Sequence, residues 1–163
     1  MRTAVKTTTA PELKRMTLPF IGKSLKSMGM EAQRDGNAYY VDLGHDSCLV
    51  IGFRRGRISV AVVMPADWDA VEELLFFASL TMASTTLTKV FLLPEDEEMN
   101  IWFSAESFCK TRGEFEEVFD ALFKQLMKSV RTFVDIRDNI SETMQAQSLA
   151  AFVAGQAENQ QPS

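Results

Sequence analysis

The sequence predicts one α+β domain in which an antiparallel five-stranded sheet is flanked by helices. Three observations support this fold class. The strand-like segments form two groups with short internal turns, a helix separates the groups, and further helices stand at both ends of the chain. Because strands and helices do not alternate one by one, consecutive parallel βαβ units are excluded, and the expected order is α-βββ-α-ββ-α.

The length and composition indicate a single globular domain. The chain has 163 residues and a hydrophobic content of 46%, which is ordinary for a globular protein. We expect a disordered N-terminus at 1–9, one α+β domain at 10–142 and a weakly structured or disordered tail at 143–163. Charges interrupt every apolar stretch, so no membrane span is expected. With two distant cysteines and no secretory signal, the sequence favours a reducing cytoplasm.

The first predicted helix begins near Ala10, with Pro11 in the first turn, where a missing N–H costs nothing. Its apolar residues recur with helical spacing as far as Met28, and Gly29 is expected to end it. Pro19 falls inside this run. It is expected to kink the helix or to split it in two.

Three strands are predicted after a turn at 35–37. The first, at 39–43, alternates apolar and polar residues, and the second, at 48–53, is a short apolar run. The third, at 58–64, is expected to end at Pro65. Short turns join the three strands, which predicts an antiparallel meander.

The second half of the chain is predicted to contain a buried helix, two strands and the longest helix. Asp67 is the expected N-cap of the buried helix. The two strands are expected at 89–93 and 100–108. The longest helix is expected from Thr111 to about Glu142, with an apolar stripe wider than one contact with a sheet requires.

His45 and Cys48 are the only close pair of residues that suggests nucleophilic catalysis. A thiolate and an imidazole could act together there. Cys48 opens an apolar strand, however, where a cysteine usually behaves as a small buried hydrophobe. The sequence shows no metal-ligand spacing, glycine-rich phosphate loop or nucleophile elbow. We therefore expect no catalytic residue, metal or cofactor; the alternative is a small-molecule or enzymatic pocket between sheet and helices.

The most concentrated positive charge lies at a predicted hairpin tip that contains Arg54, Arg55 and Arg57. These side chains could hold a phosphate or an acidic partner through charge-assisted hydrogen bonds. They raise a second alternative, a regulator that binds nucleic acid. The chain as a whole is acidic, with a net charge of −5, whereas a nucleic-acid face needs many clustered cations. Nucleic acid is therefore not the expected partner.

Surplus apolar residues favour a protein partner. Phe123 and Met127 widen the stripe of the longest helix, and two tryptophans lie near the ends of predicted elements. Such surplus area usually marks an interface, and a homodimer is the commonest form. A tail that folds back over the stripe after Ser141 is an equally good explanation. The predicted partner contacts are Trp68, Trp102, Phe123, Met127, Arg54, Arg55 and Arg57.

Several segments together resemble a known bacterial fold. They are a helix ending in Ser27-Met28-Gly29-Met30, a tyrosine-bearing strand at 39–41, the hairpin 50–63, the strand 89–93, and the strand 101–103 that leads into a helix at 114–130. In this order they resemble the fold of type III secretion chaperones, and most of all its YbjN-type branch. The resemblance implies a small, acidic, non-enzymatic and frequently dimeric protein that holds or regulates a polypeptide.

Overall fold

In the computed structural model of this chain, residues 14–95 and 98–158 are described, without the side chains of Trp68 and of residues 144–158. Six strands form one antiparallel sheet in the order β1-β2-β3-β4-β6-β5. The elements in chain order are α1 (Leu18–Ser27), β1 (Ala32–Asp35), β2 (Ala38–Gly44), β3 (Ser47–Arg54), β4 (Arg57–Ala66), a 3₁₀ helix (Trp68–Ala70), α2 (Val71–Ser84), β5 (Lys89–Glu95), β6 (Glu98–Phe108), a second 3₁₀ helix (Arg112–Glu114) and α3 (Phe115–Glu158).

The α+β class and the antiparallel sheet are confirmed, but the predicted number of five strands is wrong. The additional strand is β1, which forms a hairpin with β2 across Gly36, inside the predicted turn. Most of its side chains are exposed, so no apolar alternation marks it in the sequence. The order of helices also differs from the prediction. Four strands separate α1 from α2, and a 3₁₀ helix precedes both α2 and α3.

The first helix of the described part begins at Leu18, and the predicted start near Ala10 lies outside the described residues. Thr17 is its N-cap residue, and Pro19 lies in its first turn, where the fixed φ angle of proline suits the start of a helix. The predicted kink at Pro19 is therefore wrong, because the proline begins the helix and does not interrupt it. The segment just before it is held by a hydrogen bond from the Met16 N–H to the Lys110 carbonyl, at 3.1 Å.

The capping between β4 and α2 differs in part from the prediction. Asp67 caps the 3₁₀ helix before α2, because its carboxylate accepts a hydrogen bond of 2.9 Å from the Asp69 N–H, whereas the N-cap residue of α2 itself is Ala70. Pro65 does not end the strand, contrary to the prediction. It lies opposite Asn100, and pairing with β6 continues to Ala66, since a proline near a strand end removes only one donor of the ladder.

The last helix is longer than predicted. It runs without a break from Phe115 to Glu158, well past the expected end near Glu142, and no proline interrupts this part of the sequence. Its 44 residues correspond to about 66 Å. The predicted limits of the domain at residues 10 and 142 stay predictions, and residues 1–13 and 159–163 lie outside the described part.

The three helices pack on one side of the sheet, which we call the covered face. From β6, Phe103 enters this core and meets the ring of Phe133 at 5.4 Å, edge to face. Phe133 in turn meets Phe77 of α2 at 6.2 Å, while Ile21 and Leu25 of α1 fill the other end. The other side of the sheet, which we call the open face, carries the alternate residues of each strand.

Candidate protein-binding surface

Four residues form a continuous row across the open face. Cys48 of β3 lies opposite Val63 of β4, Val63 lies opposite Trp102 of β6, and Trp102 lies opposite Phe91 of β5. Each step crosses one strand spacing of about 4.8 Å, so the row spans about 14 Å. We call these four residues the apolar row. Val63 is buried, whereas the other three are partly exposed.

The outer part of the apolar row is an aromatic stack. The rings of Phe91 and Trp102 lie 6.2 Å apart between centroids, with only 10° between their planes. Leu93, on the same face of β5, is 41% exposed. Large aromatic and aliphatic side chains that face solvent on a sheet supply the area that a bound chain can cover.

Trp102 also carries an unused hydrogen-bond donor. Within the described residues, its Nε1 atom is shielded from solvent and has no acceptor. A buried donor without an acceptor costs about 1–3 kcal/mol, so such groups are rare in folded proteins. An acceptor supplied by a partner would remove this cost.

A charged cluster borders the aromatic stack. Glu106 lies 3.6 Å from Arg57 and 3.8 Å from Lys89, and the Arg57 guanidinium stacks over the ring of Phe108 at 4.7 Å. These groups are about half exposed or more, so the ion pairs add little stability. They place both signs of charge beside an apolar surface, as in the polar rim of a reversible interface.

The predicted arginine tip is a tight hairpin turn. Arg55 and Gly56 both have positive φ angles, 52° and 79°, which is typical of a two-residue turn between antiparallel strands. The Cys109 N–H donates to the Gly56 carbonyl at 2.9 Å and fixes the tip to the end of β6. Arg54 and Arg55 are exposed, but Arg57 is engaged with Glu106 and Phe108. The three arginines therefore do not act as one free cationic cluster.

His45 and Cys48, the predicted nucleophilic pair, lie in different environments. His45 lies exposed in the turn between β2 and β3, whereas Cys48 belongs to the apolar row. Burial raises the pKa of the Cys48 thiol, and the carboxylates of Glu95 and Asp42 raise it further. A raised pKa favours the neutral thiol, which is a poor nucleophile.

A wide groove lies at the outer edge of the sheet beside α1. It has a volume of about 1130 Å³, and Lys26, Gln33, Asp42 and Cys48 are among its lining residues, whereas His45 is not. Among the residues that the structure describes, no three His, Cys, Asp or Glu side chains come together as metal ligands. The groove therefore does not unite the pair on which the enzymatic alternative depends.

The other predicted contacts lie on the helical side of the molecule. Phe123 stacks on Phe119 of the same helix at 6.0 Å, and Met127 is 41% exposed beside it. Both line a shallow groove with Lys124, Lys128 and Arg131. Trp68 begins the first 3₁₀ helix, and its side chain lies outside the description.

The predicted contacts therefore belong to different surfaces. Trp102 and Arg57 lie on the open face, whereas Phe123 and Met127 lie on the layer of helices. Sequence reasoning missed Phe91 and Phe108. The available signal was that β5 and β6 carry large apolar residues in both phases of the strand alternation, which indicates that both faces of the sheet are in use.

A crystal structure of YbjN from E. coli, described as a candidate transcription regulator, superposes with a TM-score of 0.62 and 18% sequence identity; the match covers 78% of this chain and 96% of that chain. The chain has the YbjN fold. At this identity, the likeness shows the YbjN fold and no shared activity. No protein-family model and no curated protein sequence matches the chain.

None of the described helices combines the length and the apolar content that a membrane-crossing helix needs.

Proposed function

We propose that this protein is a non-enzymatic protein-binding module that holds a polypeptide partner in a chaperone-like or regulatory role. The observation that carries the proposal is the aromatic stack of Phe91 and Trp102 on the open face, where the indole N–H of Trp102 has no acceptor within the described part of the chain. A bound chain would cover the rings and, after a small rotation of the indole, accept a hydrogen bond from it. Buried aromatic anchors of this kind dominate binding energies at protein interfaces.

The edge of the sheet offers a backbone for the same partner. β5 is the last strand of the sheet, so the outer groups of Val90–Leu93 are available for pairing with an added strand. Lys89 and Pro94 flank this stretch, and both residue types discourage uncontrolled pairing at an edge. An added strand would therefore be short, and its side chains would lie next to Phe91. Backbone pairing would supply affinity, and the aromatic stack would supply selectivity.

Two further observations support the proposal. YbjN, whose fold the chain shares, is described as a candidate transcription regulator, and a regulatory role for this chain is inferred by analogy. Both cysteines are free thiols, which suits a reducing cytoplasm as the place of action.

The test is affinity capture from a cell lysate with three matched baits: the unchanged protein, Trp102→Ala and Met127→Ala. Both substitutions shorten a partly exposed apolar side chain, but they lie on opposite sides of the molecule. We expect a partner that the unchanged protein and Met127→Ala retain and that Trp102→Ala loses at least tenfold. Equal recovery of every protein by all three baits would contradict the proposed surface.

A Trp102→Phe bait separates the two contributions of the tryptophan. It keeps an aromatic ring beside Phe91 and removes the indole donor. Recovery between the values for the unchanged protein and Trp102→Ala would assign part of the affinity to the N–H group.

A further inference from the structure

The loop between α2 and β5 holds a leucine in a backbone conformation that leucine rarely adopts. Leu87 has a φ angle of 63°, in the left-handed region, and at 78% it is the most exposed of the large apolar side chains that the structure describes. Its side chain therefore contributes little to the core, while its backbone carries strain. Strain of this kind persists only where the surrounding structure imposes it, and it is concentrated at functional sites.

Hydrogen bonds on both sides of Leu87 fix this conformation. The Gln125 side-chain amide donates to the Thr86 carbonyl, and the Ser129 hydroxyl donates to the Thr88 hydroxyl at 2.9 Å in a buried contact. Both donors belong to α3, so the loop is attached to that helix and presents Leu87 beside it. A backbone that is already fixed loses little further freedom when a partner binds, which favours binding.

The part of α3 next to this loop is cationic. Between Asp120 and Asp135 the sequence contains Lys124, Lys128 and Arg131 and no carboxylate, in a chain whose net charge is −5. Because residues three and four apart lie on one side of a helix, the three cations form one row. Lys124 pairs with Asp120 at 2.7 Å, whereas no ion pair among the described residues engages the other two cations.

Two cavities make this surface concave. One, of about 570 Å³, is lined by Phe123 and Met127 together with the three cations, and the other, of about 360 Å³, lies between α3 and residues 84–86 of the loop. Lys124 and Lys128 line both cavities, so the two form one continuous groove. We call this surface, made of Phe123, Met127, the three cations and residues 84–86, the cationic groove.

We propose that the cationic groove binds a short acidic amphipathic segment of another protein, with Leu87 as an apolar anchor beside it. Carboxylates of the segment would pair with Lys128 and Arg131 through charge-assisted hydrogen bonds. Its apolar side chains would contact Leu87 and the apolar lining of the groove. Because the chain as a whole repels acidic partners, charge confines such a segment to this surface. The groove extends about 17 Å along residues 124–135 of α3, the length of about three helical turns.

Nucleic acid fits the cationic groove less well than an acidic segment does. Binding of a phosphate backbone depends on many clustered cations, whereas this surface offers three, one of which is paired with Asp120. Phe123, Met127 and the exposed Leu87 offer apolar area, which suits the apolar side of a peptide and adds nothing to phosphate contacts. The groove lies on the helical side of the molecule, so the proposal does not depend on the proposed function of the open face.

The first test measures binding of a labelled synthetic peptide to the full chain by fluorescence anisotropy. The peptide has about twelve residues, enough for about three helical turns, with leucines along one helical side and glutamates beside them. A control peptide has glutamine in place of every glutamate. We expect the glutamate peptide to bind about tenfold more tightly, and added salt to reduce the difference. Lys128→Gln combined with Arg131→Gln should abolish the difference, whereas Arg54→Gln combined with Arg55→Gln, a matched pair of exposed cations elsewhere, should keep it.

A Leu87→Gly variant separates an anchor from a residue that serves the fold. Glycine adopts a positive φ angle without strain, so we expect the unfolding temperature of the variant to equal or exceed that of the unchanged protein. Loss of the apolar contact should weaken binding of the glutamate peptide about tenfold. A lower unfolding temperature with unchanged peptide affinity would contradict the assignment of Leu87 as an anchor.

The outcome for the groove is distinct from the outcome for the open face. Trp102→Ala should bind the glutamate peptide as the unchanged protein does. Equal binding of the glutamate and glutamine peptides by the unchanged protein, or binding of neither, would overturn the proposal. Tighter binding of a single-stranded oligonucleotide of the same charge would also overturn it, because it would show that the cations alone decide the partner.

Discussion

Phe103 and Trp102 are adjacent on β6 and lie on opposite faces of the same sheet, and their surroundings differ in kind. Phe103 has no exposed surface and meets Phe133 of α3 edge to face. Trp102 remains partly exposed and stacks in parallel on Phe91, and its indole N–H has no acceptor among the described residues. Among the described residues, the side chains of the covered face are buried against one another, whereas the open face keeps part of its aromatic surface exposed to solvent.

Alanine substitutions of these two neighbours should show how much each face contributes to stability. They give the largest change in the free energy of unfolding that we expect. Phe103→Ala leaves a cavity among fully buried rings and should lower the free energy of unfolding by about 3–5 kcal/mol. Trp102→Ala should cost less, about 1–2 kcal/mol, because its ring is only partly covered and its buried N–H is removed. Urea unfolding measures both. Equal losses would show that the open face is part of the core.

The two cysteines allow the two faces to be compared by thiol reactivity, because Cys109 belongs to the buried core and Cys48 to the apolar row of the open face. Burial, followed by the charge of Glu114, raises the pKa of Cys109 to about 11 from an ordinary value of 9.0, so near pH 8 its thiolate fraction falls by about 100-fold. The pKa of Cys48 is raised as well. We expect alkylation of Cys109 only on unfolding, and alkylation of native Cys48 more slowly than in the unfolded chain. A Cys48 that reacts faster when native would support the enzymatic alternative.

Two glycines test how tightly each face is packed. A Cβ at Gly22 of α1 would lie 2.7 Å from Cε1 of the buried Tyr39 ring, and a Cβ at Gly52 would lie 2.6 Å from the Ser59 hydroxyl on the open face. The ring is fixed by the core, whereas the hydroxyl can rotate away. We expect Gly22→Ala to cost about 1–2 kcal/mol after its gain in helix propensity, and Gly52→Ala less than about 1 kcal/mol. Thermal unfolding of both variants checks the order.

The smallest change in stability that we expect concerns the start of α3, the helix that contributes Phe133 to the core on the covered face. The backbone N–H groups of Lys110 and then Thr111 donate to Glu114 and hold its pKa below the ordinary value of 4.5. Because the pKa of Glu114 is lower in the folded state, its carboxylate stabilises the protein at pH values above the ordinary pKa of 4.5. This stability is lost as the pH falls through the pKa of the folded state. Glu114→Gln should weaken the decline of the unfolding temperature with acid. An unchanged decline would show that the capping carboxylate contributes nothing.

The sequence predicted the elements whose side chains alternate between the two environments. β2 to β6 and α2 all lie where apolar periodicity or a short apolar run indicated them, because burial leaves one of these two patterns in the sequence. β1 was missed because it is held by backbone pairing to β2 while its side chains remain exposed. Pro11 was expected in the first turn and Pro19 as a break within the helix, but the structure has Pro19 in the first turn of α1.

The candidate site was less predictable than the fold. Trp102 was named from its residue type, but its stack with Phe91 depends on which strands become neighbours, and a sequence does not specify that pairing on its own. The same holds for the engagement of Arg57 with Glu106 and Phe108. The full length of α3 was not predicted, because the sequence after Glu142 lacks the charged residues that usually mark an exposed helix.

The most direct measurement of the binding surface is hydroxyl-radical footprinting of the protein with and without its captured partner, read by mass spectrometry. If the open face binds the partner, oxidation of Trp102 and Phe91 slows several-fold in the complex while oxidation of Met127 is unchanged. Protection of Met127 and Phe123 with Trp102 unaffected would contradict the account and would place the partner on the helices.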